Sequence, residues 1–142
     1  MKLIFQTLLL FISLTLSAQN WELNLEQSKE IAQNESKHIL LVFSGSDWCA
    51  PCIKLEKKIW NSQDFQDYAK DNLVLLRADF PRLKKNQPSK EQQKHNNRLA
   101  ENYNPKGYFP FVVLMDAHGE VLNQLGYKNI DPKSYIKAIN DY

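Results

Sequence analysis

The sequence predicts an α/β fold in three layers, a mixed four-stranded central sheet with helices on both faces. Three observations predict it. The run "HILLVF" is short and continuously apolar, as a strand covered on both faces is, and "LVLLRADF" reads as a second strand. Between and after them, apolar residues recur at intervals of three and four, the period of helices packed along one side. Further on, "FVVLMD" and "EVLNQL" flank "AHG", the pattern of a β-hairpin. A βαβ half followed by a ββα half combines parallel and antiparallel pairing in one sheet.

The first eighteen residues, "MKLIFQTLLLFISLTLSA", are set aside from the domain. Lys2 is a minimal positive start, Leu3 to Leu16 form an apolar stretch softened by Gln6, Thr7, Ser13 and Thr15, and Ser17 and Ala18 are small. This is the order of a cleavable secretory signal, with cleavage expected after Ala18. An uncleaved anchor is the alternative, but a spanning helix needs ~20 strongly apolar residues. One domain is expected over residues 19–142, and export puts it where disulfides form and persist.

In chain order, "LEQSKEIAQNES" (25–36) reads as a helix with Leu25, Ser28, Ile31 and Ala32 along one side, capped by Asn24. The strand "HILLVF" is broken by "GSDW". From Cys49 on, the residues Cys49, Cys52, Ile53, Glu56, Ile59 and Trp60 mark one face of a helix, and Pro51 suits its first turn. A short helix, "QDFQDYAKD", follows Ser62 and leads into "LVLLRADF". Ser89 and Gln92 have the spacing of a capping box, which starts the next helix at Lys90. After the hairpin, Asp131 and Pro132 open a final helix ending near Asp141.

The 18 basic and 16 acidic side chains nearly balance, so charge offers no argument for nucleic acid or an anionic membrane as partner. The basic stretch "PRLKKNQPSK" reads as a solvated loop. Two cysteines are too few for a disulfide-stapled miniprotein.

Those two, Cys49 and Cys52, are the chemistry-bearing pair. As a structural bridge they would close a very short loop and stabilise by ~2 kcal/mol, against ~3 for a fifteen-residue loop. Zinc needs four ligands, and the three histidines, His38, His95 and His118, have no finger-like spacing to the pair. Copper(I) accepts fewer soft ligands and stays open. A redox pair accounts for the placement best. At a helix N-terminus, unpaired N–H groups and the helix dipole favour the thiolate of Cys49, and Cys52 lies one turn deeper on the same face. Trp48 and Pro51 would shield the pair and stiffen its turn.

On "WCAPC" after an apolar strand, and "YFPFVVLMDAHGEVLNQLGY" some sixty residues later, the chain resembles the thioredoxin superfamily over Trp21 to Tyr142. The resemblance implies a thioredoxin-like sandwich with Cys49 as nucleophile and Cys52 as resolving cysteine. It also implies a cis peptide bond before Pro110 and a substrate strand that pairs beside it. Trp48, Pro51, Phe109 and Pro110 are then the substrate-contacting residues, with Tyr108 as a further aromatic wall. Thioredoxin has glycine where this chain has Ala50, and a buried aspartate where it has Phe43. Glu56 is the candidate for the missing proton-transfer role, since "WCAPCIKLE" is similar to the periplasmic thioredoxin-like domain of transmembrane disulfide reductases. The segment 81–98 is longer than in a compact thioredoxin, either a recognition surface or a tolerated insertion.

The expected activity is dithiol–disulfide exchange on protein or peptide disulfides, with reduction or isomerisation favoured, and with a second redox protein to recycle the pair. No cofactor, metal, nucleic acid or membrane insertion after signal cleavage is expected, and the chain is read as a periplasmic or otherwise exported monomer. The rival is a binding module, carrying copper(I) on the two thiolates or serving only to dock.

Overall fold

The computed structural model describes residues 19–142; the expected leader lies outside the described residues. Four helices begin on the polar side chain that precedes them. Asn24, Ser62, Ser89 and Asp131 accept the N–H of the residue three further on, at 3.0, 3.2, 3.1 and 3.0 Å. Each bond satisfies a donor that the first helical turn leaves over. The helices are α1 (Leu25–Glu35), α2 (Ala50–Leu55), α3 (Gln63–Asn72), α4 (Lys90–Tyr103) and α5 (Pro132–Ile139). Gln92 does not close the reciprocal half of a capping box. Its side-chain amide donates to the carbonyl of Leu23 at 2.9 Å and to Asn96 at 2.8 Å.

The sheet has five strands, one more than the sequence predicts: β1 (Trp21–Glu22), β2 (His38–Ser44), β3 (Leu73–Asp79), β4 (Phe111–Met115) and β5 (Val121–Leu125). Their spatial order is β1-β3-β2-β4-β5. β1 and β2 both run parallel to β3, whereas β4 is antiparallel to β2 and to β5. The added strand is two residues long, too short for alternation to register in sequence. Trp21 anchors it by packing edge-on to Trp60, ring centroids 6.2 Å apart.

Alternate residues of β2 and β3 feed two cores, which is why residues 39–43 and 73–76 are apolar on both faces. Leu40, Val42, Leu73 and Leu75 meet α2, α3 and α5 through Leu55, Phe65 and Tyr135. Ile39, Leu41, Val74 and Leu76 meet α1 and α4 through Ala32 and Leu99. The three layers are as the sequence predicts.

The helix after the cysteines departs in detail. From Glu56 to Trp60 it widens into a π turn, with the N–H of Asn61 bonding the carbonyl of Glu56 at 3.0 Å. The extra residue in that turn brings Trp60 back over the buried face beside Ile59 and Leu55. Ile53, expected on that face, is 37% exposed, because Leu55 fills the core position instead.

Candidate active site

β2 delivers the chain to a tight turn. The N–H groups of Trp48 and Cys49 both reach the carbonyl of Gly45, at 3.2 and 2.9 Å. Gly45 has to be glycine: a Cβ there would stand 2.6 Å from Trp48 Nε1. With no side chain at Gly45, the indole lies flat against the turn, and its N–H donates to the carbonyl of Phe80 at 2.7 Å.

Cys49 caps α2. Its backbone is extended, and its Sγ accepts the N–H of Cys52 at 3.3 Å. The sulfur therefore holds the place that a serine or aspartate oxygen holds at other helix starts, where negative charge is favoured. Cys49 and Cys52 form a disulfide, Cα atoms 5.2 Å apart. Pro51, half-buried, sits in the first turn, where no N–H is required.

The sequence leads one to expect a more accessible Cys49. In the disulfide state Cys49 and Cys52 are each 4% exposed. The reason is mutual cover: bonded sulfurs shield one another, and Trp48 lies half-buried alongside. Ala50, between them, is exposed, so the bridge lies just under the surface.

The Phe109–Pro110 bond is cis, and Pro110 is buried. Phe111 pairs with Phe43 of β2, which sets the proline beside the end of β2 and the cysteine-bearing turn. Phe109 meets Trp48 edge-on at 5.4 Å and Phe80 at 5.5 Å. Tyr108 is exposed and packs edge-on to Phe111 at 5.8 Å. Phe43, fully buried, lies 6.5 Å from Phe80 and 6.4 Å from Phe111 in an aromatic cluster.

Glu56 is engaged elsewhere than a solvated helix position would be. Its Oε2 accepts from Arg77 Nη2 at 2.7 Å, and its backbone N–H bonds the carbonyl of Cys52. Arg77 in turn stacks on Trp21, 4.1 Å from the ring centroid.

The sequence reading missed a second group. Asp47 accepts the N–H groups of Arg82 and Leu83, both at 2.9 Å, and the side-chain amide of Asn86 at 3.0 Å. The Arg82 N–H, and next the Asn86 amide, hold the Asp47 carboxyl below the ordinary carboxylate value. Asp79 binds Ser46 through its N–H at 2.9 Å and its hydroxyl at 2.5 Å. Arg82 covers Trp48, 3.9 Å from the ring centroid. The only signal in sequence was an aspartate ahead of "WC", which finds no partner until the fold closes. Of the segment 81–98, the part from Lys90 is α4, and the remainder is this tethered loop with a 3-10 turn at Lys84–Asn86.

The histidines stand apart from the pair. His95, without a visible partner in sequence, accepts the N–H of Leu25 at 3.2 Å and ties α4 to α1; His118 is exposed. Among the described residues no group of three or more His, Cys, Asp and Glu side chains is arranged to hold a metal ion.

A family model described as thioredoxin-like matches residues 20–117. The disulfide bond reductase DsbH of Chlamydia pneumoniae is 34% identical over 119 residues, 84% of this chain and 69% of that protein. A solved DsbH oxidoreductase superposes with a TM-score of 0.78 at 31% identity, covering 89% of this chain and 88% of the other. The C-terminal domain of Neisseria meningitidis DsbD, in its oxidised form, shares the fold, with a TM-score of 0.55 at 18% identity over 79% of this chain and 86% of that one. With a CxxC pair bonded at the head of a helix and relatives of this kind along most of its length, the chain belongs to the thioredoxin-like family and is a thiol–disulfide oxidoreductase.

Proposed function

We propose that the protein is an exported, periplasmic reductase of protein disulfides, with isomerisation as the same chemistry on a substrate that re-pairs. The reading is supported by the reductase name of the 34% identical relative and by the leader-like sequence of residues 1–18. Among the described residues no helix is long and apolar enough to cross a membrane. The observation that carries it is the position of Cys49 Sγ at the helix start, accepting the N–H of Cys52. In the reduced pair, that donor and the helix dipole would stabilise a Cys49 thiolate.

The thiolate attacks one sulfur of a substrate disulfide. A bond forms between Cys49 Sγ and that sulfur, the substrate bond breaks, and the departing substrate thiolate takes a proton. Cys52, deprotonated, then attacks the Cys49 sulfur and expels the second substrate thiol. The substrate gains two electrons and two protons, and the Cys49–Cys52 disulfide is left, the state described above. A dithiol redox protein returns it to the reduced form. Glu56, one turn beyond Cys52, would take the Cys52 proton, with Arg77 holding the carboxylate in place. Trp48, Pro51, Phe109 and Pro110 would contact an extended substrate laid beside the pair.

The test is reduction of insulin disulfides with dithiothreitol as electron source, comparing the intact protein with Cys49→Ser. Turnover by the intact protein alone is expected. Equal rates for the two proteins would end this reading, and tight stoichiometric copper(I) binding without turnover would favour a carrier. The equilibrium of the pair in glutathione buffers gives the direction: a potential well below that of glutathione is expected of a reductase.

A further inference from the structure

The basic stretch 81–90 is read from sequence as a solvated loop, yet the fold fastens it, with Phe80 just before it, to the turn that carries the cysteines. Asp47, two residues ahead of Cys49, takes donors from Arg82, Leu83 and Asn86. Trp48, immediately ahead of it, donates to Phe80 and lies under the Arg82 guanidinium. The loop is thus a strap across one wall of the site, held at a fixed offset from the disulfide.

What the strap presents is positive charge. Arg82, Lys84 and Lys85 are exposed, and among the described residues none of them forms an ion pair. Two carboxylates on this side, Asp47 and Asp79, are turned to the strap's amides and to Ser46 rather than paired with these cations; three cations against two anions leave the strap one positive charge in excess, carried on its exposed side chains. Near-neutral overall charge makes this a local property, not a general field.

We propose that this strap selects substrates: Arg82, with Lys84 and Lys85, favours protein disulfides flanked by acidic residues, and Asp47 is the positioning residue that holds Arg82 over Trp48. The inference rests on the reductase reading above and names the substrate class for that site. Arg82 is the central contact because stacking on the indole limits its freedom, so less entropy is lost when it meets a carboxylate.

The test uses the reduced full-length protein and three disulfide-bridged peptides of one sequence, with Glu, Gln or Lys on both sides of the bridge. The Glu peptide is expected to have a kcat/KM about fivefold above the Gln peptide, the ratio for an exposed charge pair at the upper end of its usual worth, and the Lys peptide to fall below both. The preference should lie in KM, and should fade between about 0.02 and 0.5 M salt. Arg82→Gln should bring the Glu-to-Gln ratio close to one, and Arg82→Lys should restore part of it. Asp47→Ala should lower the ratio with Arg82 intact. Lys133→Gln, the same charge change on α5, should keep the full ratio. Equal kcat/KM on all three peptides, or a ratio that survives the combined change of Arg82, Lys84 and Lys85 to Gln, would overturn the selectivity alone. Reduction of none of the peptides would instead bring down the reductase reading, and this inference with it.

Discussion

Arg77 Nη2 donates to Glu56 Oε2 at 2.7 Å, joining the end of β3 to the first residue of the π turn beyond Cys52. The pair is partly open to water, with side-chain exposures of 22% for Arg77 and 36% for Glu56. Its worth to stability is therefore small, about 0–1 kcal/mol, and Glu56→Gln should lower the melting temperature only slightly. If Glu56 serves Cys52, the same variant should slow resolution of the mixed disulfide by about tenfold to a hundredfold and move the pH at which the slow step turns over. Stopped-flow tryptophan fluorescence across pH 5–9 tests this. An unchanged pH profile would leave Glu56 with a purely structural place beside Arg77.

Cys52→Ser should trap a covalent mixed disulfide with insulin or peptide substrate, visible on non-reducing electrophoresis, and Cys49→Ser should trap none. That asymmetry follows from the capping position of Cys49, which leaves Cys52 one turn inward. The reverse pattern would exchange the two roles. Because the bridge closes so short a loop, reducing it should change stability by no more than ~2 kcal/mol.

Gly45→Ala should damage the site without touching a cysteine. The new methyl group meets the Trp48 ring, so the indole must swing off the turn and give up its bond to Phe80. Overpacking of this kind costs about 1–3 kcal/mol. Reduced turnover together with a red-shifted tryptophan emission is the expected pair of readouts.

Three aspartates set the acid limb of stability. Asp47 is held low chiefly by the Arg82 N–H, Asp116 by the Glu120 N–H, and Asp131 by the Ser134 hydroxyl. A carboxyl that ionises more readily in the folded chain adds stability above its unfolded value of about 3.9. That contribution disappears as pH falls through the lower folded value. Urea unfolding between pH 7 and 2 should therefore lose free energy mainly below pH ~4, and Asp47→Asn should flatten the slope.

Tyr135 offers a test of the core. It is fully buried, donates to the carbonyl of Gly126 at 3.0 Å and meets Trp60 edge-on at 5.5 Å. Burial pushes its phenol well above the ordinary value, so it stays a neutral donor. Tyr135→Phe should cost about 0.5–1.5 kcal/mol in denaturant unfolding, the net worth of one hydrogen bond, since the carbonyl of exposed Gly126 can turn to water.

The parts of this fold legible in sequence are those governed by local rules. The four longer strands, the capping residues Asn24, Ser89 and Asp131, and the order of elements follow from periodicity and from which side chains can cap a helix. The cysteine pair was legible because a CxxC after a buried strand leaves few alternatives. What escaped depends on partners far along the chain. β1 exists because Trp21 finds Trp60, 39 residues on, and Asp47 matters because Arg82 arrives 35 residues later. Ile53 turns outward because Leu55, three residues after Cys52, fills the core position, and the apolar pattern at 52–55 fits either residue. Glu56 was in view, but its partner Arg77 sits in a run that reads as plain strand.

The order β1-β3-β2-β4-β5 also bears on how the molecule behaves in a crowd. Of its most apolar strands, β2 is paired along both sides, while β3 is paired with β2 along its whole length and with β1 only at Leu75 and Leu76. One border is a two-residue stub whose tryptophan is roofed by an arginine; the other carries Asn123 and Gln124. The short stub and the irregularity between Leu114 and Met115, where β4 pairs with β5, break the regular ladder that a neighbouring copy would extend at these rims, away from the chemistry at the strand tips.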